Sequence, residues 1–383
     1  MLTYSVKPRG GVVHALEVSE ALVRRDHEVE LMALARPDEE LYRATRVPVR
    51  LVRHVATEPE FDERILGMLA AYTEGLAPLL DRFEVVHSQD CLSANAALEL
   101  RDRGVIDRVI RTVHHVDDFT SPSLVECQDR SIVDPDELLC VSQDWVARLA
   151  REFGVSAGLV RNGVDLGRFR PARDAAERAH DRRRAGLGDR FTVLNVGGIE
   201  PRKGSVTLLD AFARLRDELP ERDPLLIIAG GVTLFDYRHE VERFDRRAEE
   251  LGVSEHVRTT GGLEPQELER LYRAADVFAF PSVKEGFGLA ALEALACELP
   301  VVASDLAALR GFLDDRCARL VPVGDAAALA QALLGVARGE APRTRGRAVA
   351  RAWSWEAAAA AHERVYEEFV AAPLRSLPLR RSA

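Results

Sequence analysis

Residues 277–296 read VFAFPSVKEGFGLAALEALA and contain, in order, an apolar strand, a turn with glycines and a helix. The VFAF segment is typical of a strand buried on both faces of a parallel sheet. Gly286 and Gly288 allow the backbone of the turn to approach a ligand closely. The helix that follows offers free N–H groups at its start, which suit a phosphate. This stretch therefore predicts an α/β fold with an anion-binding loop at the carboxyl end of a strand.

Strand-like and helix-like segments alternate along the rest of the chain, which predicts parallel sheets covered by helices. The polar stretch RFRPARDAAERAHDRRRAGLGDR interrupts this pattern at residues 168–190. We therefore expect two Rossmann-like, doubly wound domains that face a cleft, because ligands of such sheets bind beyond the carboxyl ends of the strands. The expected parts are a first domain 1–170, a polar linker 171–190, a second domain 191–350, a helix 351–372 and a disordered tail 373–383.

Composition excludes several classes of protein. The chain has 383 residues and a net charge of −10, which argues against a nucleic-acid binder. Its five cysteines lie far apart, and no CxxC pair points to a zinc ribbon or a disulfide framework. No signal peptide opens the chain and no apolar run is long enough to span a bilayer, so we expect a cytoplasmic protein.

Three further glycine or histidine segments follow predicted strands. GGIEPRKG at 197–204 includes Gly197 and Gly198, and it places Arg202 and Lys203 where they could neutralise a diphosphate. KPRGG at 7–11 ends in Gly10 and Gly11, directly before the first long helix. TVHH at 112–115 ends a strand, where a histidine that faces a cleft can hydrogen-bond a reacting sugar. Each segment could instead be an ordinary turn with solvated charges.

These motifs together resemble the family-4 retaining glycosyltransferases of the GT-B fold, over about residues 2–370. The resemblance includes TVH, NGVD at 162–165 and EGFGLAALEALA, in which Glu285 and Glu293 match the E-x7-E element of the family. It implies transfer of a sugar from a UDP- or GDP-linked donor to an unknown sugar, lipid or small-molecule acceptor, with retention of configuration. It also implies a front-face mechanism without a metal or another cofactor, and a last helix that crosses back to the first domain.

The resemblance also assigns roles to residues. Lys203 is expected to bind the donor diphosphate, Glu285 the donor sugar hydroxyls and Glu293 the ribose. His114 is expected to contact the donor sugar near its anomeric carbon. His114, Glu285 and Lys203 are thus the expected catalytic residues. The donor-binding set is Gly10, Gly11, Gly197, Gly198, Arg202, Lys203, Glu285, Gly286, Phe287, Gly288, Leu289 and Glu293.

Two positions depart from the family pattern. Gly198 stands where arginine is usual, so we expect Arg202 to supply that second positive charge. Ala307 and Ala308 occupy a loop that usually carries glycines and a glutamate. These departures keep a non-catalytic nucleotide-sugar sensor open as an alternative. A sugar-nucleotide epimerase or a phosphorylase on the same fold is another.

Lysine is rare in this chain, and only Lys7, Lys203 and Lys284 occur among the 52 basic residues. All three lie in the loops described above, so they are candidates for positions that need a compact ammonium group rather than a planar guanidinium.

The sequence also bears on membrane contact, metal binding and self-association. Arginines between residues 36 and 53, with others in the tail, could contact the inner face of a membrane peripherally, although a solvated surface is the simpler interpretation. The histidines and aspartates near residues 87–118 have no metal-ligand spacing, so no metal site is expected. We expect a monomer or a homodimer.

Overall fold

A computed structural model describes residues 1–58, 60–231, 237–340 and 346–373. The chain divides into two compact units. The first comprises Met1–Arg161 and the residues from Trp355 onward, and the second comprises Asn162–Ser354. Residues 374–383, which include the arginines of the expected tail, lie outside the described residues.

The first unit is a parallel sheet in which a helix follows each strand except the second, which is followed directly by the third. Its strands are β1 Leu2–Thr3, β2 Leu31–Ala35, β3 Val49–Arg53, β4 His87–Ser88, β5 Ile110–Val113, β6 Glu137–Cys140 and β7 Gly158–Leu159. Its helices are α1 Gly10–Val23, α2 Phe61–Leu76, α3 Cys91–Asp102, α4 Pro122–Val133, α5 Gln143–Phe153 and, from the end of the chain, α13 Trp355–Ala371.

The strand order of this sheet is β3-β2-β1-β4-β5-β6-β7. The order reverses between β1 and β4, which pair in parallel at Leu2 and Ser88. Ligands of open α/β sheets bind outside the carboxyl ends of the strands at such a switch point. The segments after β1, β4 and β5 are therefore where a site is expected in this unit.

The helix α13 packs on α1 within the first unit. The ring centroids of His14 and Trp355 lie 5.9 Å apart, and both residues are buried. Arg25 and His27, just after α1, bond the carboxylate of Glu363 on α13. Apolar packing and ion pairs thus join the end of the chain to its beginning.

The second unit repeats the same architecture. Its strands are β8 Thr192–Val196, β9 Leu225–Ala229, β10 Val257–Gly261, β11 Val277–Phe280, β12 Val301–Ser304 and β13 Ala318–Val321. Its helices are α6 Ala175–Arg184, α7 Ser205–Glu218, α8 Arg238–Glu250, α9 Pro265–Ala274, α10 Leu289–Ala296, α11 Ala326–Ala337 and α12 Gly346–Arg351.

The strand order of the second sheet is β10-β9-β8-β11-β12-β13, all in parallel register. The switch point lies between β8 and β11, where Val193 is level with Val277 and Leu194 with Phe278. All four residues of β11 are buried, as expected for a strand covered on both faces. One core runs beneath the sheet and includes Leu208, Phe212, Phe244 and Leu333.

The stretch expected to be a polar linker, 171–190, contains α6. This helix packs on α9 of the second unit mainly through charges rather than an apolar stripe. Asp181 is 3% exposed and accepts a 2.7 Å hydrogen bond from Arg273. The second unit begins at Asn162, before the boundary expected near residue 170, and Val164 N donates to the carbonyl of Trp353 within that unit.

Within the described ranges, no helix is both long enough and apolar enough to cross a membrane.

Candidate functional site

Two loops of the second unit lie at its switch point. The first follows β8 and runs from Gly197 to Lys203, which ends a 3₁₀ turn at Pro201–Lys203. The second follows β11 and leads to Gly288, which precedes α10. Val283 N donates a 2.7 Å hydrogen bond to the carbonyl of Arg202, so the two loops are joined backbone to backbone.

A lysine and a glutamate join the same two loops through their side chains. Lys203 Nζ donates to Glu285 Oε1 at 2.7 Å, and Ser282 Oγ donates to the same oxygen at 2.8 Å. The side chains of Lys203 and Glu285 are only 12% and 8% exposed. The Lys203 ammonium also lies 5.2 Å from the ring centre of Phe280.

The charge of this buried carboxylate is stabilised by its neighbours. Burial alone would raise the pKa of Glu285, but Lys203 and Arg202 outweigh it, so the pKa lies below its usual range. Glu285 therefore stays ionised near neutral pH. Glu285 is thus a charged hydrogen-bond acceptor beside the charged donors Lys203 and Arg202. This arrangement suits sugar hydroxyls and a diphosphate.

Two glycines make the close approach of the loops possible. Gly204 has φ +66°, and a Cβ there would lie 2.1 Å from the carbonyl oxygen of Pro281. A Cβ on Gly230, just after β9, would lie 2.3 Å from the carbonyl carbon and oxygen of Gly197. Because real Cβ atoms do not approach backbone this closely, neither position accepts a side chain without a shift of the loop.

The start of α10 is also built on a glycine. Gly288 has φ +97°, and a Cβ on it would lie 2.4 Å from Leu309 Cδ2. The neighbouring Phe287 is 5% exposed and stacks on Phe312, with ring centroids 5.1 Å apart. Its ring is part of the core, so its backbone is what it can present to a ligand. Gly286 and Leu289 flank these residues and are partly exposed.

Glu293 lies in the middle of α10 and is held by Tyr272 of α9. The tyrosine hydroxyl donates to Glu293 Oε2 at 2.8 Å and lies 3.1 Å from the carbonyl oxygen of Ala290. Burial and the nearby Glu293 charge raise the pKa of Tyr272 well above its ordinary value, so it remains a donor.

Arg202 is oriented by a second glutamate. Its Nε lies 2.8 Å from Glu200 Oε2, and its NH1 lies 3.7 Å from Glu285 Oε1. The guanidinium is thus beside the Lys203–Glu285 pair. Gly198, where the family usually has arginine, is partly exposed on the same loop.

In the first unit, the segments after β1, β4 and β5 meet at the start of α1. Gly10 and Gly11 are the first residues of α1. A Cβ on Gly11 would lie 3.2 Å from His114 Cδ2 and 3.5 Å from the carbonyl oxygen of Gln89. His114 Nε2 lies 3.0 Å from Gln89 Oε1, which fixes the orientation of the ring.

His114 belongs to a cluster of imidazoles. Its ring lies 4.9 Å from that of His14, and His14 lies 5.2 Å from His362 of α13. His87 bonds Thr112 Oγ1 at 2.8 Å and Tyr366 OH at 2.7 Å. Desolvation, aided by the other histidines, lowers the pKa of His87 and His114 well below 6.5. His87 and His114 are therefore neutral at physiological pH.

Other residues singled out in the sequence have structural contacts. Lys7 lies 3.2 Å from Glu39 Oε1, and its side chain is 46% exposed. His115 lies 3.3 Å from Asp117 Oδ1. Lys284 is partly exposed on the loop beside Glu285. Among the described residues, no group of three or more His, Cys, Asp or Glu side chains could hold a metal ion.

The arginines considered for membrane contact are largely ion-paired. Arg43 bonds Glu17 and Glu20 at 2.9 and 2.7 Å. The other pairs are Arg50 with Glu30 and Arg53 with Glu40. This surface therefore carries both signs of charge rather than a basic patch.

Four residues that orient candidate ligand-binding side chains have no role predicted from the sequence, namely Gln89, Glu200, Tyr272 and Ser282. Gln89 and Tyr272 lie outside the predicted ligand-binding segments. Glu200 lies within GGIEPRKG and Ser282 within the stretch 277–296, three residues before Glu285, so their positions gave a signal.

Two family models match successive parts of the chain. Residues 8–168 match Glycosyltransferase Family 4, and residues 177–353 match Glycosyl transferases group 1. The D-inositol 3-phosphate glycosyltransferase of Corynebacterium jeikeium is 33% identical over 94% of this chain and 92% of its own length. The GDP-mannose-dependent alpha-(1-6)-phosphatidylinositol monomannoside mannosyltransferase of Mycolicibacterium smegmatis is 33% identical over 77% of each chain.

Solved structures show the same fold. Sucrose-phosphate synthase from Thermosynechococcus elongatus has a TM-score of 0.79 at 24% identity and covers 97% of this chain and 98% of its own. Anabaena HepE in complex with UDP-glucose has a TM-score of 0.78 at 17% identity, with 96% and 98% covered. Two family models and relatives at one third identity indicate the same family. The pair of parallel-sheet units matches the fold of the solved structures. The chain therefore belongs to glycosyltransferase family 4 and is a glycosyltransferase with a fold of the GT-B type.

Proposed function

We propose that this enzyme is a retaining hexosyltransferase that uses a UDP- or GDP-linked sugar and needs no metal. The observation that supports this best is the Lys203–Glu285 pair, which joins the loops after β8 and β11 at 2.7 Å. It places one buried cation and one buried anion at the switch point of the second sheet. A nucleotide sugar needs both, because its diphosphate is anionic and its hydroxyls are hydrogen-bond donors.

The donor would bind the second unit through these groups. Lys203 and Arg202 would neutralise the diphosphate, and the N–H groups at the start of α10 would add their partial positive charge. Glu285, kept ionised by its neighbours, would accept hydrogen bonds from the sugar hydroxyls. Glu293, oriented by Tyr272, would accept from the ribose hydroxyls.

Catalysis would follow from charge stabilisation rather than from a protein base. As the bond between the anomeric carbon and the diphosphate breaks, negative charge grows on the leaving phosphate, where fixed cations stabilise it best. The leaving phosphate would take the acceptor proton on the same face of the sugar, which retains configuration. In the first unit, neutral His114, oriented by Gln89, would hydrogen-bond the donor sugar.

The acceptor is proposed from the relatives. One is named for D-inositol 3-phosphate and another for a phosphatidylinositol monomannoside. An inositol-containing acceptor is therefore the first class to test, in both its free phosphate form and its lipid form. Peripheral contact with a membrane would accompany only the lipid form.

Binding and turnover test the proposal separately. Titration calorimetry with UDP and GDP should identify the preferred base, and the same affinity with EDTA present is expected. Incubation of the matching sugar nucleotide with inositol phosphate should release the nucleoside diphosphate, and NMR of the product should show the anomeric configuration of the donor. An inverted product or a strict magnesium requirement would contradict the proposed mechanism.

The alternatives give different outcomes in the same assay. A non-catalytic sensor would bind the sugar nucleotide without releasing diphosphate for any acceptor. An epimerase would convert the donor into a second sugar nucleotide without an acceptor. Arg202→Ala should weaken binding of the nucleoside diphosphate, because Arg202 stands in for the arginine that Gly198 replaces. If Arg202→Ala binds the nucleoside diphosphate with unchanged affinity, Arg202 does not contact the diphosphate.

A further inference from the structure

Two of the five cysteines lie side by side in the first unit, although they are 36 residues apart in sequence. The Sγ atoms of Cys91 and Cys127 are 3.2 Å apart. A disulfide bond is about 2.05 Å long, so the two sulfur atoms need to approach by only about 1 Å. Cys91 is the first residue of α3, and Cys127 lies in the middle of α4.

A buried amide holds this pair in place. Asn95 is 2% exposed, and its Nδ2 donates to the carbonyls of Cys91 and Cys127 at 2.9 and 2.7 Å. The same nitrogen lies 3.2 Å from the Cys127 sulfur. The backbone of both cysteines is therefore tied to one side chain, which keeps the thiols facing each other.

The surroundings favour a reactive thiolate on one member. The hydrogen bond from Cys91 lowers the pKa of Cys127, and the positive charges of Arg130 and Arg111 act in the same direction against desolvation. The hydrogen bond to Cys127 and burial raise the pKa of Cys91, which holds the shared proton. Cys127 is 9% exposed and Cys91 is partly exposed, so a small oxidant can reach the pair.

We propose that Cys91 and Cys127 are a redox modification site, which a peroxide converts into an intramolecular disulfide that lowers transferase activity. The Cys127 thiolate attacks one peroxide oxygen, the O–O bond breaks and the released hydroxide takes a proton to become water. The Cys91 sulfur then attacks the Cys127 sulfenic acid. The S–O bond breaks, and the second water leaves with the Cys91 proton. The two sulfurs lose two electrons, and the peroxide gains them.

The link to activity passes through the turn between β4 and α3. Cys91 begins α3, and the preceding Asp90 caps it by accepting from Ser93 N at 2.7 Å. Gln89, two residues before Cys91, contacts His114. Drawing Cys91 toward α4 therefore shifts the partner that orients His114. This consequence rests on the function proposed above, whereas formation of the disulfide does not.

Mass spectrometry tests the modification without reference to activity. Native protein treated with hydrogen peroxide, then denatured and alkylated, should carry two alkyl groups fewer than the reduced protein, which carries five. Trypsin should release a linked pair of peptides, 83–101 and 112–130, which dithiothreitol separates. Cys127→Ser should abolish this linkage, and Cys140→Ala, a buried thiol of β6, should preserve it.

Activity is then compared in the same samples. A fall in turnover of fivefold or more, restored by dithiothreitol and absent in Cys127→Ser, is the expected result. The proposal is overturned if no 83–101/112–130 linkage forms, if another thiol pair forms, or if the linked protein turns over at the reduced rate. A reduced protein that binds sugar nucleotides but transfers nothing would instead count against the proposed function, and the peptide linkage would still decide the modification.

Discussion

Lys203 and Glu285 are 82 residues apart in sequence and are joined by a 2.7 Å hydrogen bond between two loops of one switch point. The lysine is confined on several sides. The stem of Lys203 passes close to Gly197, where an added Cβ would lie 3.3 Å from Lys203 Cε, and the ring centre of Phe280 lies 5.2 Å from the ammonium. A planar guanidinium is wider than an ammonium and would need more room beside these neighbours, although it carries the same charge.

We therefore expect Lys203→Arg to lower kcat/KM by at least about tenfold, which corresponds to about 1.4 kcal/mol of transition-state stabilisation. Lys203→Ala should cost about 100-fold, as for the loss of one fixed donor at a developing anion. Arg214→Lys, a charge-preserving change on an exposed position of α7, is the matched control and should have no effect. If Lys203→Arg turns over normally, the retention of lysine here has no chemical reason.

The contact between Tyr272 and Glu293 makes a separate prediction about nucleotide affinity. Tyr272→Phe removes the hydroxyl that orients the carboxylate and leaves the charge in place. We expect the Kd for the nucleoside diphosphate to rise about fivefold, equivalent to the loss of roughly 1 kcal/mol for one hydrogen bond. Glu293→Gln should weaken binding further. Titration calorimetry measures both variants, and equal affinity for wild type and Tyr272→Phe would show that this contact serves folding alone.

Gly204 makes a prediction about stability. Gly204→Ala would place a methyl group 2.1 Å from the carbonyl oxygen of Pro281 at a positive φ. We expect the free energy of unfolding to fall by about 3 kcal/mol or more. Gly186→Ala is the control in the same unit, since Gly186 has φ +64° and a Cβ added there would have no atom within 4 Å. Gly186→Ala should lower the free energy of unfolding by only about 1 kcal/mol. If urea denaturation gives similar losses for the two variants, a side chain at Gly204 does not clash with Pro281.

The histidine cluster predicts how stability depends on pH. Burial lowers the pKa of His362 to about 4, whereas an unfolded chain has an ordinary value near 6.5. The unfolded state therefore binds protons first as the pH falls, and stability is lost progressively between about pH 6.5 and 4. At pH 5.5 the loss for His362 alone is roughly 1 kcal/mol.

Urea denaturation at pH 7.5, 6.5 and 5.5 tests this, because most carboxylates titrate below that window. His362→Phe removes one titrating group. As the pH is lowered, the free energy of unfolding of this variant should therefore fall less steeply than that of the wild type. Parallel pH profiles would show that His362 is already protonated, or exposed, in the folded state.

Much of the fold could be predicted because parallel strands leave a strong apolar signal. VFAF, FTVLNV and PLLIIA are such runs, and β11, β8 and β9 lie within them. The helix α6 left a weaker signal, since it is held by ion pairs such as Asp181 with Arg273 rather than by an apolar period. Charge spacing on a polar helix does not reveal which charges find partners.

The candidate site was predicted as separate loops, not as a set of contacts. Strand order is not written in the sequence, so the pairing of β8 with β11, and hence of Lys203 with Glu285, came from the structure. Residues that orient others, such as Gln89 and Tyr272, carry no motif because any hydroxyl or amide at the right place can serve.

The first unit is discontinuous in sequence, and this affects the order in which the protein can be completed during synthesis. Every residue of the second unit leaves the ribosome before Trp355, so its sheet can close while α1 still lacks α13. Until the last helix emerges, His14 and the apolar side of α1 stay open to solvent and to other chains. A nascent protein interrupted near residue 354 would therefore have a folded second unit and a first unit with exposed apolar surface. Chaperones bind such surfaces.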